Sequence, residues 1–523
     1  MIAVLTWWGI TQLFGLAALP AARRIFAWLP DHGYAFSKVT GLLLVSYLFW
    51  FGVSAGLLGN TTGGILLALA LVGGVSALAG GFSGQRPLRA RLTSFWKEDK
   101  AQILVTEGLF LAVFAGWALV RAYAPDKILP VGGEKYMEIA FLNGALNSPH
   151  FPPLDPWMSG YGISYYYFGY IMMAVMTRLS GVAPTVGFDL YDALLFALTA
   201  VTAFGVVSNL VHAASGNLQS SRWFGLLGAL FVGGLGNLEG LLEGLYAARL
   251  LPLSFWQWID IPDLAGSPQS GQFYPGGGWW WWRGSRVLRD LDLFYRPVAY
   301  PPIDEFPFFS FLLGDNHPHK LGLPFGILAI GLAFNLLLKQ SASLPKPRSV
   351  FSEGAFYLFY AVALGGLAFL NTWDFPIYLG LVVVAYLVGT ALRENSALGG
   401  WPLSKLLLRA LGLGAGLGAG SILLYTFFYL GFSSQAGGAL PYVFPPTRLP
   451  QYFVMFGVFL TILAFFIITA ARRSAALRDT LRTWLWLVGL LYAAYLAALV
   501  LGLAAINAPG LKDNSLIQSM LGG

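Results

Sequence analysis

Two short stretches concentrate the side chains able to do acid–base or phosphate chemistry. Glu134, Lys135 and Glu138 follow the paired glycines Gly132 and Gly133, and Asp315, His317, His319 and Lys320 close the string PPIDEFPFFSFLLGDNHPHK behind Asp304 and Glu305. A helix over Lys135 to Asn147 whose first turn takes in Glu134 sets Glu134 and Glu138 four residues apart on one face. A partly desolvated carboxylate there takes a proton from an incoming hydroxyl, and Lys135 beside it holds a phosphate. The plain alternative is an amphipathic helix whose charges face water. Asp315, His317 and His319 bring one carboxylate and two imidazoles together, a set suited to a divalent ion, magnesium or manganese. Pro318 restricts the backbone between the rings, so a phosphate-binding or purely hydrogen-bonded cluster competes with the metal site.

Four further features carry weaker signals. Asp155 sits in PPLDPW, where Pro152, Pro153 and Pro156 stiffen the chain and aim the side chain, although capping a turn is the ordinary work of such an aspartate. Tyr165, Tyr166 and Tyr167 stand at the head of a helix, about 100° apart, so they cannot all line one pocket, and those outside it form an aromatic belt. The run Trp279 to Trp282 leads into Arg283, Arg286 and Arg289. On a helix these arginines form one basic stripe for a phosphate or diphosphate, with Trp282 and its neighbours as stacking faces. The competing reading dips the tryptophans into lipid headgroups, with arginine on lipid phosphate. Asp374 in NTWDFP lies between two apolar segments, either as a carboxylate needing a partner or as the N-cap of a helix starting at Phe375.

Such residues have to be carried by helices in a membrane. The chain has 523 residues, 57% hydrophobic and 11% charged, against about 25% charged in globular domains, and its mean hydropathy is +0.66. A soluble enzyme, a disordered chain and a nucleic-acid-binding domain are excluded as the whole answer. Apolar segments near 2–21, 39–58, 63–81, 103–122, 163–181, 190–213, 222–242, 320–338, 354–371, 375–392, 406–430, 452–470 and 483–506 predict an all-α polytopic membrane protein. That makes roughly 12–14 crossings at about 20 residues each. Met1 to Pro20 has no basic n-region and is expected to stay attached as the first crossing. Cysteine is absent, so thiolate chemistry is excluded.

Basic residues orient the chain. Arg23, Arg24 and Lys38, then Arg86, Arg89, Arg91, Lys97 and Lys100, mark cytoplasmic loops, which leaves the Tyr123 to Gly162 loop outside. Lys339, Lys346 and Arg348, then Arg393, Lys405 and Arg409, then Arg472, Arg473, Arg478 and Arg482 mark three more cytoplasmic loops, yet simple alternation puts them outside. One crossing is therefore miscounted between Thr185 and Lys339, with the expected place between Arg222 and Pro318. The organisation reads as N-terminal helices over 1–122, a first external loop over 123–162, helices over 163–249, a second external loop over 250–319 and C-terminal helices over 320–523.

The strings GGEKYMEIAFLN, FPPLDPW, SYYYFGY, SRVLRD, IDEFPFFSFLLGDNHPH and NTWDFPIY, spread from about 132 to 378, resemble a family of multi-pass bacterial and archaeal membrane proteins named for the tripeptide YYY. The family pattern has Asp at the position of Glu138, and a further C-terminal helical region. The family in turn is similar to integral membrane glycosyltransferases of the GT-C architecture. That resemblance implies a polyprenyl-phosphate-linked sugar donor, a catalytic acid in the first external loop, for which Glu134 is the candidate, and Asp155 with the GDNHPH group completing the site. The function expected is sugar transfer at the outer face of the cell membrane. Glu134 or Glu138 activates the acceptor, Lys135, Lys320, Arg283, Arg286 or Arg289 meets the lipid phosphate, and a divalent ion at Asp315, His317 and His319 assists. A transporter or flippase of lipid-linked or anionic substrates, or a non-catalytic scaffold, is the alternative. The partners expected are membrane lipid and a lipid-linked sugar. The net charge of +7 reads as topology and phosphate handling, with no nucleic-acid partner.

Overall fold

Long apolar runs in a bilayer must satisfy every backbone N–H and C=O internally, and a helix does so within one segment. The computed structural model describes residues 1–79, 88–124, 133–276, 280–291, 295–298, 302–342, 350–396, 403–434, 445–473 and 477–506. Its α-helices are, in order, α1 Ile2–Ile25, α2 Ser37–Ser54, α3 Thr62–Ala79, α4 Leu88–Tyr123, α5 Lys135–Asn147 and α6 Phe168–Ser180. There follow α7 Pro184–Ser215, α8 Leu218–Gly233, α9 Glu239–Ala247, α10 Leu253–Ile259, α11 Pro307–Leu313 and α12 Pro318–Ser341. The last six are α13 Val350–Leu370, α14 Asp374–Ser396, α15 Leu403–Leu424, α16 Thr426–Gly431, α17 Leu449–Arg473 and α18 Leu477–Ile506. Among the described residues two isolated bridges, Leu154 with Gly162 and Leu291 with Pro297, are the whole of the β structure.

Among those residues, eleven helices are long and apolar enough to cross a membrane. The segments near 163–181 and 222–242 are not among the eleven; they form α6 of 13 residues and α8 of 16, and α6 is the shorter. At 1.5 Å per residue α6 is about 20 Å long, against about 30 Å of hydrocarbon. It ends at Gly181, whose φ of 67° is left-handed, and Pro184 starts α7 at once. The miscounted crossing is therefore the 163–181 segment, and the sequence expectation placing it between Arg222 and Pro318 is corrected. Asp31, in the loop after α1, accepts from Asn209 near the end of α7 at 2.8 Å, so that end of α7 shares the face of Arg23 and Arg24. Lys320 in the first turn of α12 meets Asp192 toward the start of α7, so the chain returns between them along α8 and α12 runs the same way as α7; Lys339 and Arg393 then lie at helix ends on the side of Arg23 and Arg24, as the positive-inside rule requires.

The chain divides into two compact units. Met1–Leu235 with Ser310–Ser434 forms the first, and Gly236–Phe309 with Gln435–Gly523 forms the second. In the first unit α1, α2 and α4 are joined by a buried charge inside their spans: the Lys38 ammonium rests on the Glu107 carboxylate, which also accepts from the Tyr34 hydroxyl at 2.8 Å and Gln12 Nε2 at 2.9 Å. The close approach depends on glycine, since a Cβ on Gly41 would lie 2.2 Å from the Phe14 carbonyl oxygen. In the second unit, Tyr246, Trp256, Ile259, Leu264 and Val287 bury themselves with Val454 and Met455 of α17. The Leu238 N–H donates to the Val454 carbonyl at 2.8 Å.

Lys38 is 3% exposed, so Glu107→Leu leaves a buried ammonium unpaired and is expected to cost about 3–5 kcal/mol. Thermal unfolding in detergent checks this, with the Lys38→Met, Glu107→Leu double variant recovering most of the loss. A double variant no better than the single one would show that the pair acts through something other than charge.

Candidate functional site

Helix α5 and the GDNHPH string meet in the first unit. Gly133, at φ 83°, turns the chain into α5, and a Cβ there would lie 2.8 Å from Asp315 Oδ2, so only glycine permits the approach. Glu134 is the N-cap residue of α5 but makes no capping bond with its side chain. Its carboxylate, 55% exposed, instead lies 3.2 Å from His317 Nε2. One turn on, Glu138 is fully buried and accepts from the Asn316 N–H at 2.6 Å. The two acids thus address neighbouring residues of one loop at two depths, Glu134 at the mouth and Glu138 on the floor.

The loop itself is held by hydrogen bonds. His317 Nδ1 faces His319 Nδ1 at 3.0 Å, and His319 Nε2 faces the Ser310 hydroxyl at 3.1 Å. The Tyr170 hydroxyl donates to the Asn316 carbonyl at 3.2 Å. Gly314, at φ 71°, clears the way for Arg121, whose guanidinium would be 2.1 Å from a Cβ there. Beneath the loop, Lys320 donates to Asp192 at 2.6 Å, and Trp117 Nε1 donates to the other oxygen of that carboxylate at 3.0 Å. Arg121 lies 3.5 Å from Asp189 and 3.7 Å from Asp192.

Electrostatics separates the roles. Burial raises Glu138 well above the ordinary carboxylate range and Asp315 adds to it, against the Asn316 N–H and Lys320, so Glu138 is a proton holder. Burial lowers the Lys135 ammonium and Arg121 presses the same way, while Asp315 resists. Burial, followed by the charges of Glu134 and Glu138, raises the Tyr165 phenol, which keeps its proton. The three tyrosines diverge as their spacing requires: Tyr165 onto Phe141 of α5 at 5.6 Å, Tyr166 onto Phe432 at 5.4 Å, and Tyr167 buried on Phe369 at 4.6 Å.

Other candidates are committed elsewhere. Lys320 is buried on Asp192, so it supports the floor and does not face a substrate. Asp155 Oδ1 accepts from the Trp157 and Met158 N–H groups at 2.7 and 3.1 Å, and so caps an exposed turn. Asp374 opens α14, bonds with the Asn371 side chain and lies against Gly322 of α12, near enough to His319 for the two to interact. For a divalent ion, the rings of His317 and His319 face each other while Asp315 lies against Gly133. Among the described residues no three His, Asp or Glu side chains surround one point.

The second unit holds the arginines, and they do not form the stripe expected of a helix. A 3-10 turn, Trp280–Ser285, ends before Arg286, and Trp279 lies outside the described residues. Arg283 grips both oxygens of Glu243, with Nη2 to Oε2 at 3.0 Å. Arg289 lies 3.3 Å from Asp260, which also accepts from Arg448 at 2.9 Å. Arg286 stacks over Trp282 at 4.6 Å and donates to the Ser285 carbonyl and hydroxyl at 2.7 Å. Asp304 is raised to about 6 by burial, although it accepts from Val287 and Leu288. Sequence reasoning missed Glu239, Glu243, Arg121 and Asp192. The one available signal was Asp192, a lone acid inside the apolar string DLYDALLF.

A family profile described as Uncharacterized membrane protein (DUF2298) matches residues 44–511. No curated protein and no solved structure matches the chain.

Because Glu138 is raised in the folded state, folding binds its proton, and the stability this confers is lost as pH rises through the folded value. Glu138→Gln keeps the shape without the titration and is expected to flatten the alkaline fall of the unfolding temperature. An unchanged pH profile in this variant would show that Glu138 is not the group responsible.

Proposed function

The chain belongs to the DUF2298 family of membrane proteins, and on that premise we propose that its external site transfers a sugar from a lipid-phosphate-linked donor to an acceptor hydroxyl. The observation carrying this reading is the placement of Glu134: open to solvent, in contact with His317, and one residue from Lys135 at the rim of a buried polar floor. A general base needs access to the proton it takes and a neighbour that holds it in position. Glu134 has both. Glu138 is held by the Asn316 N–H but is buried, so it lacks that access and supports the site from below.

In the proposed step the acceptor oxygen attacks the anomeric carbon, its proton passes to Glu134, and the bond from that carbon to the phosphate oxygen breaks. The electron pair leaves with the lipid phosphate. Lys135 is the cation for this developing charge, because Lys320, Arg283 and Arg289 are each paired with a carboxylate. Burial has lowered its ammonium, and the donor's phosphodiester monoanion, which gains a second negative charge as the bond breaks, favours the charged form. Tyr165 donates from the third side, toward the sugar hydroxyls. The transporter alternative needs ionisable groups along a route through the spans. Lys38 and Glu107 are such groups, but Tyr34 and Gln12 complete their bonding, which favours an interhelical tie over a path.

Purified protein offered a panel of polyprenyl-phosphate sugars is expected to release or transfer sugar. Glu134→Gln should lower turnover by about 10²–10⁴-fold, and Lys135→Met should lower it with little change in folding. Absence of turnover with every donor, together with substrate movement in sealed vesicles, overturns the transferase reading in favour of transport.

A further inference from the structure

Helix α15 carries glycine on two faces, and only one is filled. Gly414 and Gly418 pack against α14, where a Cβ would meet Val383 Cγ2 at 3.0 Å and Leu379 Cδ2 at 3.6 Å. Gly412 and Gly416, on the other face, have nothing within 4 Å, and neither has Gly354 on α13. Between α13 and α15 this leaves an apolar groove of about 500 Å³, lined by Tyr357, Leu413, Leu417 and Leu424 among others. Both helices are membrane spans, so the groove opens to hydrocarbon.

Packed rings lead from its outer end to the helix of the candidate acids. Leu424 lines the groove and is followed by Tyr425, which stands 6.0 Å from Phe369. From Phe369 an aromatic column runs to Phe428 at 4.2 Å, Phe432 at 4.8 Å, Tyr166 at 5.4 Å and Tyr165 at 5.2 Å, and ends on Phe141 at 5.6 Å, in the same helix α5 as Glu138. A helix with side chains is about 10–12 Å across, so a partner span would displace several times this volume. A single hydrocarbon chain fits within it.

We propose that the α13/α15 groove seats the hydrocarbon chain of a long-chain lipid phosphate whose head lies at the Glu134 and Lys135 rim, the aromatic column covering the passage between them. This deepens the transferase reading and rests on it for the identity of the head group. Residues whose Cβ meets nothing make the test clean, because larger side chains fill the groove without displacing protein atoms.

The full chain in phosphatidylcholine nanodiscs would be photolabelled with polyprenyl phosphate carrying a diazirine near the chain end. Labelled peptides are expected from α13 and α15, displaced by unlabelled polyprenyl phosphate. Gly412→Leu and Gly416→Leu should lower labelling at least tenfold, while Gly380→Leu, on α14 and equally open, should not. Equal labelling by a diazirine phosphatidylcholine that polyprenyl phosphate fails to displace would overturn the proposal in favour of ordinary bilayer lipid. Labelling unchanged in the groove-filling variants would overturn it as well. The probe bears no sugar, so the two readings separate: labelling without turnover of any donor sinks transfer and leaves the groove, and turnover with normal kinetics in Gly416→Leu sinks the groove and leaves transfer.

Discussion

The Lys320 ammonium lies on the Asp192 carboxylate with both side chains out of water, and the outer end of the first unit is arranged around that contact. Two ions taken from water into an apolar surround lose several kcal/mol each, and only close pairing with further hydrogen bonds offsets the loss. Trp117 supplies one such bond and Arg121 a second charge, so α4, α7 and α12 are held at one level by a single carboxylate. Because Lys320 stands in the first turn of α12, the same contact fixes where the GDNHPH loop must lie. Glu134 and Glu138 approach a loop already in position.

Much of this framework was legible in sequence, for reasons that can be named. The α5 boundaries, Lys135 to Asn147, follow from a glycine pair before the helix and a proline-rich turn after it. Basic loops oriented the spans because lysine and arginine near span ends respond to the membrane and not to tertiary detail. α6 was not legible as a short helix. A buried 13-residue helix and one strand of a crossing have the same hydropathy, and only length measured between its caps separates them.

Charge pairing was the least legible level. Three-residue spacing made Arg283, Arg286 and Arg289 look like a stripe, but that inference assumed a helix, and a 3-10 turn ending at Ser285 sends each arginine to a different partner. Lys320 and Asp192 are 128 residues apart in sequence, and nothing local marks either as the other's partner. Glu134 and Glu138 looked interchangeable for the same reason. Their difference lies in burial, which the surrounding helices impose.

The row Ser310, His319, His317 and Glu134 has a polarity. An ionised carboxylate only accepts, so His317 must present Nε2–H to it, which leaves His317 Nδ1 to accept from His319 and His319 Nε2 to accept from the Ser310 hydroxyl. Every hydrogen then points the same way, toward the mouth. With Glu134 ionised, the tautomers of both rings are therefore set from the two ends of the row at once, by a carboxylate open to water and by a serine hydroxyl that is buried.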